Sequence, residues 1–213
     1  GATAVVTLTA TDADAADSSV TFAISTDDAG SGTQFALSGS TLTIAAQDYE
    51  NPGCGAGSDS LICTVIVTAT DAASTVTSQT ITVTITDVND QTPAFTSSNA
   101  ISVAEGATAV VTLAAADTDT ADSGGLTYAI VTDDPGTGTQ FALSGTTLTI
   151  AAQNYESPAC GAGSDSLTCV VIVSATDAAS QSVQQTITVT ITDVNDEAPV
   201  FTSSATANVA EGA

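Results

Sequence analysis

Acidic side chains recur along this chain in fixed small groups. Twenty-four Asp and Glu stand in a sequence with no Lys, Arg or His. Asp12-Ala-Asp14, Asp48-Tyr-Glu50 and Asp117-Thr-Asp119 each place two carboxylates two positions apart, on one side of an extended backbone. Glu105 stands before a glycine, as does Glu211, while Asp71 and Asp177 each end an Ala-Thr-Asp triplet. Asp87-Val-Asn89-Asp90 runs on to Pro93, and Asp193-Val-Asn195-Asp196 to Pro199, so both segments are stiff. Glu156 closes Asn154-Tyr-Glu, the echo of Asp48-Tyr-Glu50. Hard oxygen donors in this number, without imidazole or thiolate, select Ca²⁺. One ion takes six to eight oxygens, more than one loop supplies, so loops of adjacent domains must share it.

A single Asp is more often a turn former or a solvated residue. That reading is kept for Asp17, Asp27, Asp28, Asp59 and their copies, which match no ligand pattern, and Tyr49 and Tyr155 read as packing residues. It fails for the whole ensemble, which occurs twice. A carboxylate-pair glycosidase is the enzymatic rival. It lacks any basic partner, and aromatics to stack on sugar are only 4%; no enzyme is expected. A net charge of −24 must be neutralised from outside, and it repels nucleic acid and anionic membranes. No trypsin-type cleavage site exists in such a chain, which suits a protein among extracellular proteases.

The groups repeat because the chain repeats. Gly1-Ala-Thr-Ala-Val-Val-Thr-Leu8 returns at Gly106, 105 positions on, and Glu211-Gly212 opens a third copy 106 positions after Glu105-Gly106. The extra residue falls near Gly124-Gly125. Periods this long mean tandem domains. The sequence divides into residues 1–92, a repeat lacking its first strand; 93–198, a complete repeat; and 199–213, the first strand of a third. The chain starts and stops at one phase of the repeat, as a segment of a longer protein would. Cys54 and Cys63 bracket a Gly/Ser loop with eight residues between, and Cys160 and Cys169 bracket its copy. One disulfide per repeat, hence an oxidising compartment, is the reading; a zinc site is the rival, but two Cys without His form an incomplete ligand set. No apolar run approaches the roughly 20 residues of a membrane span.

Period-two alternation supplies the scaffold. Val6, Leu8 and Ala10 face one way; Val20, Phe22 and Ile24 form a second run. Phe35 and Leu37, then Leu42 and Ile44, flank Ser38-Gly39-Ser40. Leu61, Cys63, Val65, Val67 and Ala69 form a fifth run, Ile81, Val83 and Ile85 a sixth, and Phe95, Ile101 and Val103 begin the next repeat. Helical periodicity is absent; Ala13–Ala16 and Ala45–Gln47 allow one turn at most. Seven short strands per repeat predict an all-β antiparallel sandwich.

The linker Asp-x-Asn-Asp-x-x-Pro-x-Phe, with Asp-x-Glu and Ala-Thr-Asp, resembles the cadherin extracellular repeat over the whole chain. The resemblance implies tandem seven-stranded Greek-key β-sandwiches of cadherin/Ig-like type with three Ca²⁺ ions between successive domains. Carried over by position, Asp48, Glu50, Asp87, Asn89, Asp90, Asp117, Asp119 and Asp177 would serve the internal junction, with a main-chain carbonyl of Val88 or Asn89. Glu105, Glu156, Asp193, Asn195 and Asp196 would serve the next, and Asp12, Asp14 and Asp71 the one before. The chain departs from the family at Gln91 and Glu197, where Asn is usual, and at Asn154, where Asp is usual; the lost charge at Asn154 predicts weaker or fewer ions there. The implied function is a calcium-rigidified segment of an extracellular or cell-surface adhesin, sheath or filament, with neighbouring repeats as its partners. The alternative is an adhesive module recognising a receptor or itself. The strand Phe201–Ala210 also fits head-to-tail self-association between chains.

Overall fold

A computed structural model of the chain describes residues 3–14, 19–27, 33–54, 61–119, 125–133, 139–160, 167–209 and 211–212. Asp17, Asp28, Asp59, Gly124 and part of Ala13–Ala16 lie outside them. Two compact units emerge: Gly1–Thr92 with Asp117–Gly125, and Pro93–Ala116 with Leu126–Ala213. The described residues contain strands and turns and no helix.

The first unit holds β1 (Thr3–Thr7), β2 (Thr21–Thr26), β3 (Phe35–Ser38), β4 (Thr41–Ile44), β5 (Ile62–Thr70) and β6 (Val76–Thr84). One sheet runs β1-β4-β3 and the other β2-β5-β6, all antiparallel. Their apolar faces enclose Leu8, Phe35, Leu42, Ile44, Val65, Val67 and the Cys54–Cys63 disulfide. The β3–β4 hairpin closes through Gly39-Ser40. Gly39 has φ +60°, while Ser40 is not among the residues with positive φ. Positive φ at the first position of a two-residue loop suits type II′, and glycine adopts it without strain.

The second unit repeats this plan with β9 (Ala109–Thr112), β11 (Thr127–Thr132), β12 (Phe141–Ser144), β13 (Thr147–Ile150), β14 (Thr168–Thr176) and β15 (Ser182–Thr192). Three further pieces complete it: β7 (Ala94–Phe95), β8 (Ala100–Ala104) and β10 (Ala115–Ala116). β8 adds a parallel strand to the outer edge of β15, giving the order β11-β14-β15-β8, and β7 pairs with β10. Its effect is visible in burial. Ile187, Val189 and Ile191 on β15 are fully buried, whereas Ile81, Val83 and Ile85, at the matching positions beside an edge that pairs with no strand among the described residues, are half-buried.

The Cys160–Cys169 disulfide, with Cα atoms 5.3 Å apart, is part of the second core. Beside it Gln153 is buried and satisfied. Its Nε2 donates to Gln140 Oε1 (3.1 Å) and Ala151 O (2.8 Å), and its Oε1 accepts the Ala159 N–H (2.9 Å). Asp27 and Asp133 act as turn closers: each carboxylate accepts the N–H groups of the first residue of β3 or β12 and of the glutamine before it.

Of Val6, Leu8 and Ala10 only Leu8 is buried; Val6 pairs opposite buried Leu42 yet stays exposed, as does Ala10. A register shift between Ala4 and Val6 in the β1–β4 ladder brings Val5 against the core as well. Burial also sets a measurable contrast between the units. Ile187→Ala should cost about 2–5 kcal/mol, the usual range for a fully buried aliphatic residue, and Ile81→Ala distinctly less. Urea unfolding of the two variants checks this; equal losses would contradict the shielding role given to β8.

Candidate metal centre

Local hydrogen bonds aim the acidic side chains. Asp12 Oδ1 accepts the Asp14 N–H (2.8 Å), Asp117 Oδ1 that of Asp119 (3.0 Å) and Asp48 Oδ1 that of Glu50 (3.1 Å). Asn154 Oδ1 does the same for Glu156 (2.8 Å) and Ser157 (3.2 Å). These Asx turns fix the backbone that carries the second acid of each pair. At the ends of β5 and β14, Asp71 Oδ1 accepts the Thr75 N–H and Asp177 Oδ1 the Gln181 N–H, both at 2.7 Å. Ser74 and Ser180, at φ 67° and 72°, close those turns. In each such carboxylate Oδ1 is committed to the backbone.

Within the first unit, Glu50, Asp87 and Asp119 present carboxylate oxygens that all lie within 4.8 Å of one another. Asp119 is only 1% exposed. Its Oδ2 accepts the Gln91 N–H at 2.8 Å, and its Oδ1 is buried without a hydrogen bond. Asp117 Oδ2 and Asp177 Oδ2 are buried without hydrogen-bond partners as well. Removing a carboxylate from water costs several kcal/mol unless an opposite charge or donors replace the hydration. This chain has no side-chain cation to do so. Loss of hydration, then the neighbouring carboxylates of Asp48 and Asp119, holds the Glu50 carboxyl above its ordinary value, against a backbone hydrogen bond that lowers it. The donor set is oxygen throughout, pre-aimed and short of positive charge; it fits a hard divalent cation.

The second unit gathers Glu105, Glu156 and Asp193 in the same way, and Glu156 also meets Asp196 and Glu197. Glu105 is the organiser. Its Oε2 accepts the Tyr155 N–H (2.8 Å) and its Oε1 the Val194 N–H (2.7 Å), tying the end of β8 to two other segments. Gly106 follows at φ +74°, which lets the chain turn away. Glu197 is the acid that sequence reasoning did not assign as a ligand. The signal was present: Glu197 stands where the first copy has Gln91, whose Nε2 donates to Asp90 Oδ1 (2.8 Å). A carboxylate is thus gained at 197 while one is lost at Asn154.

Asp12 and Asp71 border one shallow cavity of about 140 Å³ in the first unit, and no third acid joins them among the described residues. Asp14, Asp48, Asp90, Asp117 and Asp177 fall outside the three clusters. Tyr155 packs against the second core.

No protein-family model matches the chain, and no curated protein matches it either. Solved structures do. Human CDH23 EC21-23 superposes with a TM-score of 0.62 at 20% identity, over 86% of this chain and 62% of that one. The human Desmocollin-1 ectodomain gives 0.60 at 19%, over 92% and 39%. The Protocadherin gammaB7 EC3-6 cis-dimer structure gives 0.59 at 22%, over 83% and 42%. The chain therefore spans about two fifths to three fifths of the length of these ectodomain structures. At such identities the likeness is one of fold: the chain is built of cadherin-like β-sandwich repeats.

Proposed function

We propose that this chain is a calcium-stiffened spacer segment of an extracellular or cell-surface protein, its neighbouring repeats being its first partners. The observation that carries the reading is Asp119: a buried carboxylate with one oxygen lacking a hydrogen bond, beside Glu50 and Asp87, in a chain without cations. Glu50, Asp87 and Asp119 would hold Ca²⁺, with Asp48, Asn89, Asp90, Asp117 and Asp177 as further donors. Glu105, Glu156, Asp193, Asn195 and Asp196, joined by Glu197, form the second set, and Asp12, Asp14 and Asp71 the third. Bound Ca²⁺ supplies the positive charge that these carboxylates lack. The residues Asp87 to Asp90 then cease to repel their neighbours, and the linker before Pro93 loses freedom. Two disulfides support an oxidising compartment. No helix among the described residues is long and apolar enough to cross a membrane. Head-to-tail association through Phe201–Ala210 belongs to the same reading of a strut or filament.

Ca²⁺ at a hundredfold excess over Kd stabilises a folded site by about 2.7 kcal/mol, worth on the order of 10–20 °C in a domain of this size. Scanning calorimetry with and without chelator measures it, and small-angle scattering should show the particle shorten or bend once the ion is stripped. An unchanged melting profile together with an unchanged maximum dimension would sink the proposal.

Glu50→Gln should reverse sign with the ion. In chelator near neutral pH the variant should be at least as stable as the parent, because a repelled carboxylate has gone. In saturating Ca²⁺ it should be the less stable, having lost a ligand. The raised Glu50 carboxyl favours the protonated folded state, so in chelator its contribution is present at low pH and lost as pH climbs through the raised value. Melting temperatures of both proteins across a pH series, in each condition, give the comparison; the same ordering with and without Ca²⁺ would contradict the ligand role.

A further inference from the structure

No described strand contains a charged residue, so all 24 acids of the chain lie outside them. A soluble surface is ordinarily about 25–35% charged, and sheet edges are usually guarded by charge. Here the outer faces of the sheets are left neutral.

The broadest such face belongs to the second unit, on the sheet β11-β14-β15-β8. On β14 the core takes Cys169, Val171 and Val173, so Val170 and Ile172 point away from it. Both are half-buried. Thr188 stands opposite Val170, and Thr186 opposite Ile172. Thr190 follows on β15, with Ser102 beside it on β8. The result is a surface of hydroxyls and methyls with an aliphatic centre. The first unit repeats that centre, with Ile66 opposite Thr80 and Thr64 opposite Thr82.

We propose that the outer face of β11-β14-β15-β8 packs, sheet on sheet, against the same face of a second copy of this chain. Charge selects this occupant. Two copies at −24 repel each other, and their acids lie outside the strands, so contact through this face buries no carboxylate. A basic partner would be drawn to the acidic strand ends instead. A glycan would need aromatic rings to stack on, and Tyr128, the aromatic residue of these four strands, packs against the core. Hydroxyls also favour self-pairing, because each both donates and accepts, so a Thr face is complementary to its own copy. Two twisted sheets stack in this way at about −30°.

Size sets the strength. Nine residues of β14 span about 30 Å and four strands about 19 Å, or about 570 Å² per copy. Two such faces bury about 1,100 Å², the low end for a specific contact, so the association is weak. Repulsion between the acidic strand ends opposes it. Association should therefore strengthen with salt, the reverse of an ion-paired interface. Ca²⁺ should strengthen it too; that arm rests on the calcium reading above, and the salt arm does not.

Sedimentation equilibrium of the full chain tests this, first in chelator at about 0.1 and about 1 M NaCl, where the Debye length falls from about 10 to about 3 Å, and then in Ca²⁺. The mass should rise with protein concentration at high salt. Ile172→Glu and Thr188→Glu should each weaken association at least roughly 100-fold, since either buries a carboxylate with no cation to meet it. Thr147→Glu, on exposed β13 of the opposite sheet, adds the same charge and should leave association unchanged. Melting curves confirm that the variants fold; all three side chains point away from the core. A monomer at every salt and protein concentration overturns the proposal. So does association that survives both face variants, or that Thr147→Glu weakens as much as they do. Salt-driven association that both face variants abolish, with no response to Ca²⁺, supports the face and counts against the calcium reading.

Discussion

A chain with no positive side chain has to satisfy every buried carboxylate oxygen with neutral hydrogen-bond donors or with a cation from solution. That constraint organises the acidic groups. Asp27 and Asp133 take the first route completely, each accepting from two N–H groups at the start of a strand. Asp117, Asp119 and Asp177 take it halfway, with one oxygen held by a backbone N–H and one left buried without a hydrogen bond. Asp27 and Asp133 match no ligand pattern, while Asp117, Asp119 and Asp177 do, as does Glu105, which accepts a backbone N–H on each oxygen. Backbone capture of the first oxygen fixes the direction of the second, so little rotamer entropy remains to be lost when a cation is bound.

The sandwich contributes strand ends. Asp71 and Asp177 follow the long central strands β5 and β14, Asp87 and Asp193 lie just past β6 and β15, and Glu105 follows β8. Hydrogen-bonded ladders of nine paired residues hold β5 to β6 and β14 to β15, and a buried disulfide anchors the loop before each central strand. The acids therefore project from rigid elements, which suits a site that must resist mutual repulsion. The first strand has a second task. Through Glu105 it bonds to Tyr155 and Val194, and through Val103 it shields the outer edge of the core. One short segment thus links core completion to the acidic cluster.

The two copies differ in instructive places. Asp48 becomes Asn154, yet the side-chain oxygen keeps its Asx-turn bond, so the amide preserves the local structure and drops the charge. Gln91 becomes Glu197, which lies within reach of Glu156 and Asp196. The acid count around the second cluster is redistributed and not simply reduced, a point invisible at either position taken alone.

Much of the fold was legible in the residues. Period-two runs at Leu42 and Ile44 and at Cys63, Val65 and Val67 mark core strands, because a pleated backbone sends alternate side chains to opposite faces; the run Ile81, Val83 and Ile85 is half-buried. The paired cysteines and the recurring acids announced a stapled sandwich with oxygen-rich strand ends. Three things were decided only by tertiary structure. The bulge in β1 put Val5 against the core, since a register slip depends on the partner strand. Glu197 joined a cluster because of where distant Glu156 lies. Asp119 was stripped of water while Asp14, in the equivalent position, stays exposed. Residue type and spacing determine which atoms can donate and how a strand alternates; burial depends on what the rest of the chain packs against them, and burial is what turns a row of soluble aspartates into a demand for positive charge.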